Sequence, residues 1–227
     1  MNNPTAHLIG VGPGDPDLIP FASTQLLKEA DYVAGFKTVN HITEKWTGNA
    51  TEFSHLSYRD QEQGLNEAAA HAANGRKVVF TAWGDFSFSG HELVERIEKA
   101  CNQHQVDLGY HPGISCIQIA LSKAGLPAED SLFLTLHRRY ALSESQQELL
   151  DAVKSGNRHL FVLPHTFDLM PAEVARLLVD SGISSDRPVT VMEKLTHNDE
   201  QITTGSLKEI AAIERDFSDL SILVIPK

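Results

Sequence analysis

Short apolar runs alternate with amphipathic stretches along the whole chain, and this alternation constrains the fold more than any single motif does. A regular alternation of strand and helix patterns favours an α/β architecture with largely parallel sheets. The apolar runs predict strands at residues 7–11, 32–34, 77–82, 106–110, 132–136, 159–163, 189–193 and 221–225. The amphipathic stretches predict helices within residues 21–30, 64–74, 92–103, 143–154 and 171–182. In the last of these, Pro171 suits the first helical turn and Gly182 suits the C-terminal cap.

A break in this pattern falls near the middle of the chain. In the segment LSKAGLPAEDS, Gly125 and Pro127 would end a helix, and the polar residues that follow lead into a new strand. The break predicts two α/β domains, residues 1–124 and 125–227, each of a usual size for such a domain. Ligands of open α/β sheets bind beyond the carboxyl ends of the strands, so the loops after the strands are where a site is expected.

The composition restricts the kinds of partner. The formal net charge of −11 argues against an exposed surface for nucleic acid or anionic membranes, so small molecules are the expected ligands. No apolar run approaches the length of a membrane span, and the first residues lack the layout of a signal peptide. These features predict a cytoplasmic protein.

The residues that usually bind metals are not grouped in the sequence. The two cysteines, Cys101 and Cys116, have no metal-type spacing, and the 11 histidines include no H-x-x-x-H pair. We therefore expect no metal site, with the histidines at the surface or in satisfied structural positions.

Three loops that follow expected strands have a similar composition, since each contains glycine and precedes a helix. They read GVGPGDP at residues 10–16, WGDFSFSG at 83–90 and HPGISC at 111–116. Their glycines allow a ligand to approach the backbone, while Asp85 and Ser115 offer side-chain oxygens near the starts of helices. Helix capping is the alternative role for both side chains.

The first of these loops is unsuited to a phosphate. Residues 10–14 form G-x-G-x-G, but a dinucleotide fingerprint requires a further glycine where Asp15 stands. Pro13 removes an N–H donor, and Asp15 would repel a phosphate. Lys37 follows the second strand where nucleotide-binding folds carry a ribose-binding acid, yet the loop with Pro13 argues against a dinucleotide. The loop therefore indicates a ligand without phosphate.

Together, the three loops resemble the tetrapyrrole methylases, enzymes that use S-adenosylmethionine to methylate corrin and sirohaem precursors. The family patterns are close to G-x-G-P-G-D, G-D-P-x-x-x-G and P-G-I-S-S, and they occur here in the same order. The resemblance implies two α/β domains with the cofactor in a cleft between them, and a homodimer. It also explains the first loop, because this cofactor carries a sulfonium cation and no phosphate.

The resemblance assigns cofactor roles to seven residues. Pro13 shapes the first loop, and Asp85 and Phe88 lie along the cofactor. The methionine end is contacted by Ser115 and Cys116, and the second domain contributes Leu163 and Leu195. For the two leucines, packing in the core is the alternative role.

Two later segments resemble the cobalt-precorrin-7 C5-methyltransferase branch of this family. FLTLHRRY at residues 133–140 is similar to S-x-H-G-R, and VTVMEKLTHNDEQITTGSLKEI at 189–210 is similar to V-x-E-x-L-x-x-x-x-E-x-x-x-x-G-x-L. The resemblance implies methylation of C5 of precorrin-7 or cobalt-precorrin-7 in cobalamin biosynthesis, with the C15-methylating decarboxylase a separate protein. Three alternatives stay open: a methylase of another tetrapyrrole position, a diphthine-type methylase, and a non-catalytic module that only binds the cofactor.

Such a substrate carries many carboxylates, which this acidic protein must bind with local cations. Arg138 and Arg139 follow an expected strand, and arginine forks bind carboxylates bidentately. A solvated basic cluster is the alternative. His137 is a candidate base for the proton that leaves the methylated carbon. Glu193 could serve the cofactor, the substrate or domain packing, and the sequence does not choose among them.

The chain departs from the family patterns at three positions. Phe86 replaces the proline of G-D-P, Cys116 replaces the last serine of P-G-I-S-S, and Arg138 replaces the glycine of S-x-H-G-R. At Cys116 a role through the backbone N–H would survive the replacement. The separate roles of the two arginines stay open.

Overall fold

The computed structural model describes residues 6–137, 141–166 and 168–227, and the chain divides into two compact units, Met1–Ser115 and Cys116–Lys227. The division falls before the helix α5 (Cys116–Ala124), whereas the sequence placed it after that segment. The reason is packing, because Ile117 and Ala120 of α5 lie in a buried cluster with second-unit side chains such as Phe161.

The first unit contains one parallel sheet with the strand order β3-β2-β4-β1-β5. The strands are β1 (Ala6–Gly10), β2 (Tyr32–Phe36), β3 (Glu52–Leu56), β4 (Val78–Ala82) and β5 (Leu108–His111). The helices are α1 (Phe21–Glu29), α2 (Lys37–Thr43), α3 (Gln61–Ala73) and α4 (His91–Gln103). The central strands β1, β2 and β4 are buried along nearly their whole length, which explains their continuous apolar runs. As a result, the three loops singled out in the sequence follow three adjacent strands, β4, β1 and β5.

The second unit contains a mixed sheet with the order β6-β7-β10-β8-β9. The strands are β6 (Ser131–Thr135), β7 (His159–Leu163), β8 (Pro188–Glu193), β9 (Gln201–Ser206) and β10 (Ser221–Ile225). Besides α5, the helices are α6 (Leu142–Ser155), α7 (Pro171–Asp180) and α8 (Leu207–Ala211). Only β6 and β7 pair in parallel, so the expectation of largely parallel sheets is wrong for this unit. The link between β8 and β9 is too short for a crossover, which forces an antiparallel pair.

The sequence missed the elements with weak apolar patterns. The strands β3 and β9 are sheet edges, and β9 (QITTGS) has no run of apolar residues. The short helices α2 and α8 were also missed, because each has too few turns for a clear periodicity. Both end signals of α7 are confirmed: Pro171 is its first residue, and Gly182 follows it with φ of 85°. Among the described residues, no helix combines the length and the apolar character that crossing a membrane would require.

Candidate functional site

The three glycine loops of the first unit meet backbone to backbone. Gly12 N donates to Gly84 O at 3.1 Å, and Gly84 N donates to Gly12 O at 2.9 Å. A Cβ atom on Gly10 would lie 2.5 Å from Gly84 O and 2.6 Å from Gly113 N, and one on Gly113 would lie 2.2 Å from Gly84 O. No side chain fits at these positions, so glycine is required for the loops to approach each other. The carboxyl edge of β4, β1 and β5 thus presents main chain where a ligand is expected.

Two aspartates hold equivalent turns in the first two loops. Asp15 Oδ1 accepts from Asp17 N at 2.8 Å, and Asp85 Oδ1 accepts from Ser87 N at 2.8 Å. Asp85 is therefore not a helix cap, because α4 begins at His91 with Gly90 before it. Within the described part of the chain, no hydrogen bond is made to Asp85 Oδ2, which leaves one carboxylate oxygen available to a ligand.

The other expected cofactor residues of the first three loops are also placed. Pro13 is buried within the first loop, while Phe88 is 38% exposed in the second. Ser115 is 1% exposed and directly precedes α5, a position compatible with capping that helix, and Cys116 is its half-buried first residue. The Trp46 indole, which the sequence did not single out, donates to the carbonyl of Pro16 at 2.8 Å and holds the end of the first loop.

A buried amide ties together the neighbouring strand ends. Asn40 Nδ2 donates to the carbonyl oxygens of Gly35 at 3.1 Å and Ser54 at 2.9 Å, and its Oδ1 accepts from the Thr81 hydroxyl at 2.9 Å. These partners belong to β2, β3 and β4. A Cβ atom on Gly35 would lie 1.8 Å from Thr81 Oγ1, so this network also requires a glycine. Asn40 was missed because its partners are distant in sequence.

In the second unit, His137 lies beside another histidine at the carboxyl ends of β6 and β7. The rings of His137 and His165 stack with centroids 6.0 Å apart, and His165 Nδ1 lies 3.2 Å from Asp168 Oδ2. His137 also donates a ring hydrogen bond to the Pro164 carbonyl, which leaves its other ring nitrogen as the acceptor. His165 and Asp168 were missed because only the parallel pairing of β6 and β7 brings them to His137.

This environment keeps His137 neutral over a wider pH range. One edge of the residue is exposed, but burial of the rest lowers the pKa, and the neighbouring His165 lowers it further. The hydrogen bond to Pro164 and the charge of Asp219 act in the opposite direction and are outweighed.

Arg138 and Arg139, the expected carboxylate-binding pair, lie outside the described residues.

The two expected cofactor-contacting leucines lie at the carboxyl ends of β7 and β8, the two strands that flank β10 in the second-unit sheet. Leu163 is the partly buried last residue of β7, and Leu195 is 4% exposed in a core cluster after β8. Leu195 stands between Lys194 and Thr196, which have φ of 50° and 69°. A left-handed β-branched residue is strained, so other contacts must hold this turn.

Glu200 supplies the contacts that hold the turn. Its Oε2 accepts from Thr196 N at 2.7 Å, and its Oε1 accepts from Lys123 Nζ of α5 at 2.7 Å. The segment that resembles V-x-E-x-L-x-x-x-x-E therefore has a structural explanation, in which the last acid stabilises the strained turn around the leucine.

Glu193 is occupied by structural contacts within the second unit. Its carboxylate forms a bidentate pair with Arg215, and it accepts from Ser218 N at 2.9 Å. Burial raises the pKa of Glu193, but the hydrogen bonds from Arg215 and Ser218 outweigh burial and hold the pKa below its ordinary value. An open groove of about 860 Å³ passes over this pair, lined largely by charged side chains. Of the three roles left open in the sequence, packing is the one that these contacts support.

Among the described residues, histidines come together in pairs, which supply too few ligands for a metal centre. His7 Nδ1 lies 3.0 Å from His111 Nε2, across β1 and β5, and burial lowers the pKa of His111. No group of three or more histidine, cysteine, aspartate or glutamate residues in those ranges could hold a metal ion.

A family model described as tetrapyrrole (corrin/porphyrin) methylases matches residues 5–211. The chain belongs to the tetrapyrrole methylases. A probable cobalt-precorrin-7 C5-methyltransferase from Methanocaldococcus jannaschii is 30% identical over 220 residues, which cover 96% of each chain. Both the family and the α/β fold with two units agree with the sequence predictions.

Solved structures show the same fold as this tetrapyrrole methylase at lower identity. A cobalt-precorrin-4 methyltransferase has a TM-score of 0.78 at 21% identity, covering 97% of this chain and 94% of that one. A uroporphyrin-III C-methyltransferase from Thermus thermophilus, complexed with S-adenosylhomocysteine, has a TM-score of 0.70 at 20% identity, covering 97% and 91%. Methylases of different tetrapyrrole positions therefore share this architecture.

Proposed function

We propose that this chain transfers a methyl group from S-adenosylmethionine to C5 of precorrin-7 or cobalt-precorrin-7. The observation that carries the proposal is the meeting of three glycine loops at one sheet edge, with Asp85 Oδ2 available. The ring position is supported by the relative that is 30% identical over 96% of this chain. A methylase of another ring position is the second candidate, because the cobalt-precorrin-4 enzyme shares the fold at a TM-score of 0.78.

The chemistry of the loops fits this cofactor. Residues 10–16 and 83–90 contain aspartate but neither lysine nor arginine, so they favour a cation over a phosphate. Asp85 would accept hydrogen bonds from hydroxyl or ammonium groups of the cofactor, and the glycine backbone permits close approach. In this proposal Pro13 shapes the first loop, Phe88 covers the ligand, and Ser115 and Cys116 bind its methionine end.

The roles of Leu163 and Leu195 as cofactor contacts stay predictions. Leu195 offers a ligand little side-chain surface, because it is 4% exposed. We propose that the strained turn around it fixes the backbone and that both leucines exclude water from the reacting groups.

S-adenosylmethionine supplies an electrophilic methyl group bonded to sulfur. As the ring carbon forms its bond to this methyl group, the carbon–sulfur bond breaks and the substrate loses a proton. We propose His137 as the acceptor of that proton, since its lowered pKa and its hydrogen bond to Pro164 keep one ring nitrogen unprotonated.

Arg138 and Arg139 would bind substrate carboxylates, and the C15-methylating decarboxylase would be a separate protein. A cytoplasmic homodimer is also proposed.

A turnover assay with precorrin-7, with and without cobalt, tests the function. The expected product has gained one methyl group without losing carbon dioxide, as measured by mass spectrometry. Methylation of a different tetrapyrrole, or of a protein acceptor, would move the enzyme to a sibling branch or to the diphthine type. Binding of S-adenosylhomocysteine without turnover on any acceptor would instead indicate a non-catalytic module.

Changing Asp85 is expected to weaken cofactor binding more than changing Ser115. The Asp85→Ala variant should lose about tenfold in affinity for S-adenosylhomocysteine, because charge-assisted hydrogen bonds are about twice as strong as neutral ones. Asp85→Asn is the matched control, since an amide can keep the turn with Ser87 but removes the charge. Calorimetric titration beside a thermal melt measures both properties. If Asp85→Ala lowers the melting temperature while the affinity stays unchanged, Asp85 serves the turn alone.

The pH profile of methyl transfer is expected to identify His137 as the base. Because the folded pKa of His137 is lowered, kcat should stay constant as the pH is reduced to 7. It should fall only at pH values below the ordinary histidine pKa of about 6.5. His165→Ala should move this acidic limb to higher pH by removing a neighbouring positive charge, and Asp219→Asn should move it to lower pH. His137→Ala should lower kcat and remove the limb. A limb at the same pH in all three variants would assign it to another group.

A further inference from the structure

An aromatic pair with one exposed ring lies at the carboxyl edge of the first-unit sheet, beside the glycine loops. The rings of Phe36 and Tyr58 lie 4.9 Å apart at 41°, at the ends of β2 and β3. Phe36 packs against two buried clusters of the unit, whereas Tyr58 is 88% exposed. In this Phe36–Tyr58 platform, the Phe36 ring is held by the core, and the Tyr58 ring that lies against it is exposed to solvent.

Two cations flank the Phe36–Tyr58 platform. Lys37 follows Phe36, Arg59 follows Tyr58, and both are exposed. Over residues 6–137, 141–166 and 168–227, neither forms an ion pair, whereas other surface cations such as Lys77 do. The neighbouring Asp60 accepts a hydrogen bond from the Ser57 hydroxyl and, among the described residues, forms no ion pair with Arg59. In a protein of net charge −11, two exposed cations without an ion pair are suited to binding an anion.

We propose that the Phe36–Tyr58 platform binds a flat, polycarboxylated macrocycle, with Lys37 and Arg59 contacting its carboxylates. Stacking on an aromatic face suits a planar conjugated ligand, and the two flanking cations are complementary to peripheral carboxylates. Because β2 is the neighbour of β4, the platform lies at the same sheet edge as the loop at 83–90. The inference rests on the proposed function and names a surface of the chain that recognises the substrate.

Isolated exposed aromatic residues are common on protein surfaces, and the combination of features distinguishes the Phe36–Tyr58 platform from them. Phe21 is 79% exposed but, within the part of the chain that the structure describes, has neither a ring partner nor two unpaired cations beside it. The platform has an anchored ring, an exposed ring and two cations in a single place. That set matches the chemistry of the substrate class on both its flat face and its charged rim.

The test measures binding of uroporphyrin III, a stable octacarboxylated porphyrin, by fluorescence quenching. Tyr58→Ala should raise the Kd about five- to tenfold, and Tyr58→Phe should keep the affinity because it keeps the ring. The double variant Lys37→Gln/Arg59→Gln should raise the Kd about fivefold and reduce its dependence on salt. Phe21→Ala and Lys154→Gln are the matched controls and should bind as the wild type does.

Calorimetry with S-adenosylhomocysteine separates the platform from the cofactor site, since these variants should bind it unchanged. Unaltered uroporphyrin affinity in Tyr58→Ala and in the double variant would overturn the platform while leaving methyl transfer by the wild type intact. Failure of the proposed function has a different signature, namely no methyl transfer by the wild type to any tetrapyrrole. If Tyr58→Ala instead converts a dimer to a monomer with the same affinity per chain, the surface is an interface between copies and the proposal is wrong.

Discussion

Replacing Gly113 with alanine is expected to destabilise the first unit by about 3 kcal/mol and to abolish cofactor binding. A Cβ atom at this position would lie 2.2 Å from Gly84 O and 2.7 Å from Gly10 O, and both neighbours are main chain. Main-chain atoms cannot rotate away as a flexible side chain would. The third loop must therefore move from the other two, which breaks the surface proposed to bind the cofactor.

Urea denaturation followed by tryptophan fluorescence measures this effect, because both tryptophans, Trp46 and Trp83, belong to the first unit. Gly48→Ala is the matched control, since a Cβ atom there would meet nothing closer than 3.7 Å. Gly113→Ala with the stability and affinity of this control would mean that the loops can separate without cost.

The second large effect is expected for Glu193→Gln, which should lower the free energy of unfolding by about 2 kcal/mol at neutral pH. The carboxylate is buried and bonded to Arg215 and Ser218 N, so the neutral amide loses a charged pair and one of its acceptor oxygens. The cost is below that of a fully buried pair because 42% of the Arg215 side chain is exposed.

The loss should depend on pH in a defined direction. Because the folded pKa of Glu193 is lowered, its contribution is complete above the unfolded value near 4.3 and is lost as the pH falls through the folded value. The difference between wild type and variant should therefore be constant from pH 6 to 8 and shrink below about pH 4. Far-UV circular dichroism during denaturation measures this difference in the free energy of unfolding.

Asp186→Asn, at an exposed pair with Lys208, is the control and should cost well under 1 kcal/mol. An equal cost for both variants at pH 7 would contradict this account.

Local chemistry explains which features the sequence could predict. The glycine loops were found because the local effects of glycine, which permits close approach of the main chain, and of proline, which fixes φ, do not depend on distant partners, and the structure joins these loops at one sheet edge. The compact units divide before α5, whereas the sequence predicts a domain boundary after it, because the packing of α5 depends on partners far along the chain. The same reason hid Asn40, and it hid the proximity of His165 to His137. The role of Glu193 needed the position of Arg215, which no local pattern supplies.

The network around Asn40 has a consequence for the entropy of binding. One buried amide links the carboxyl ends of β2, β3 and β4, so these three strand ends cannot shift separately without breaking its hydrogen bonds. Their freedom is already lost when the protein folds. A ligand that binds over these strand ends meets a preorganised surface, and little of its interaction energy is consumed in ordering the main chain beneath it.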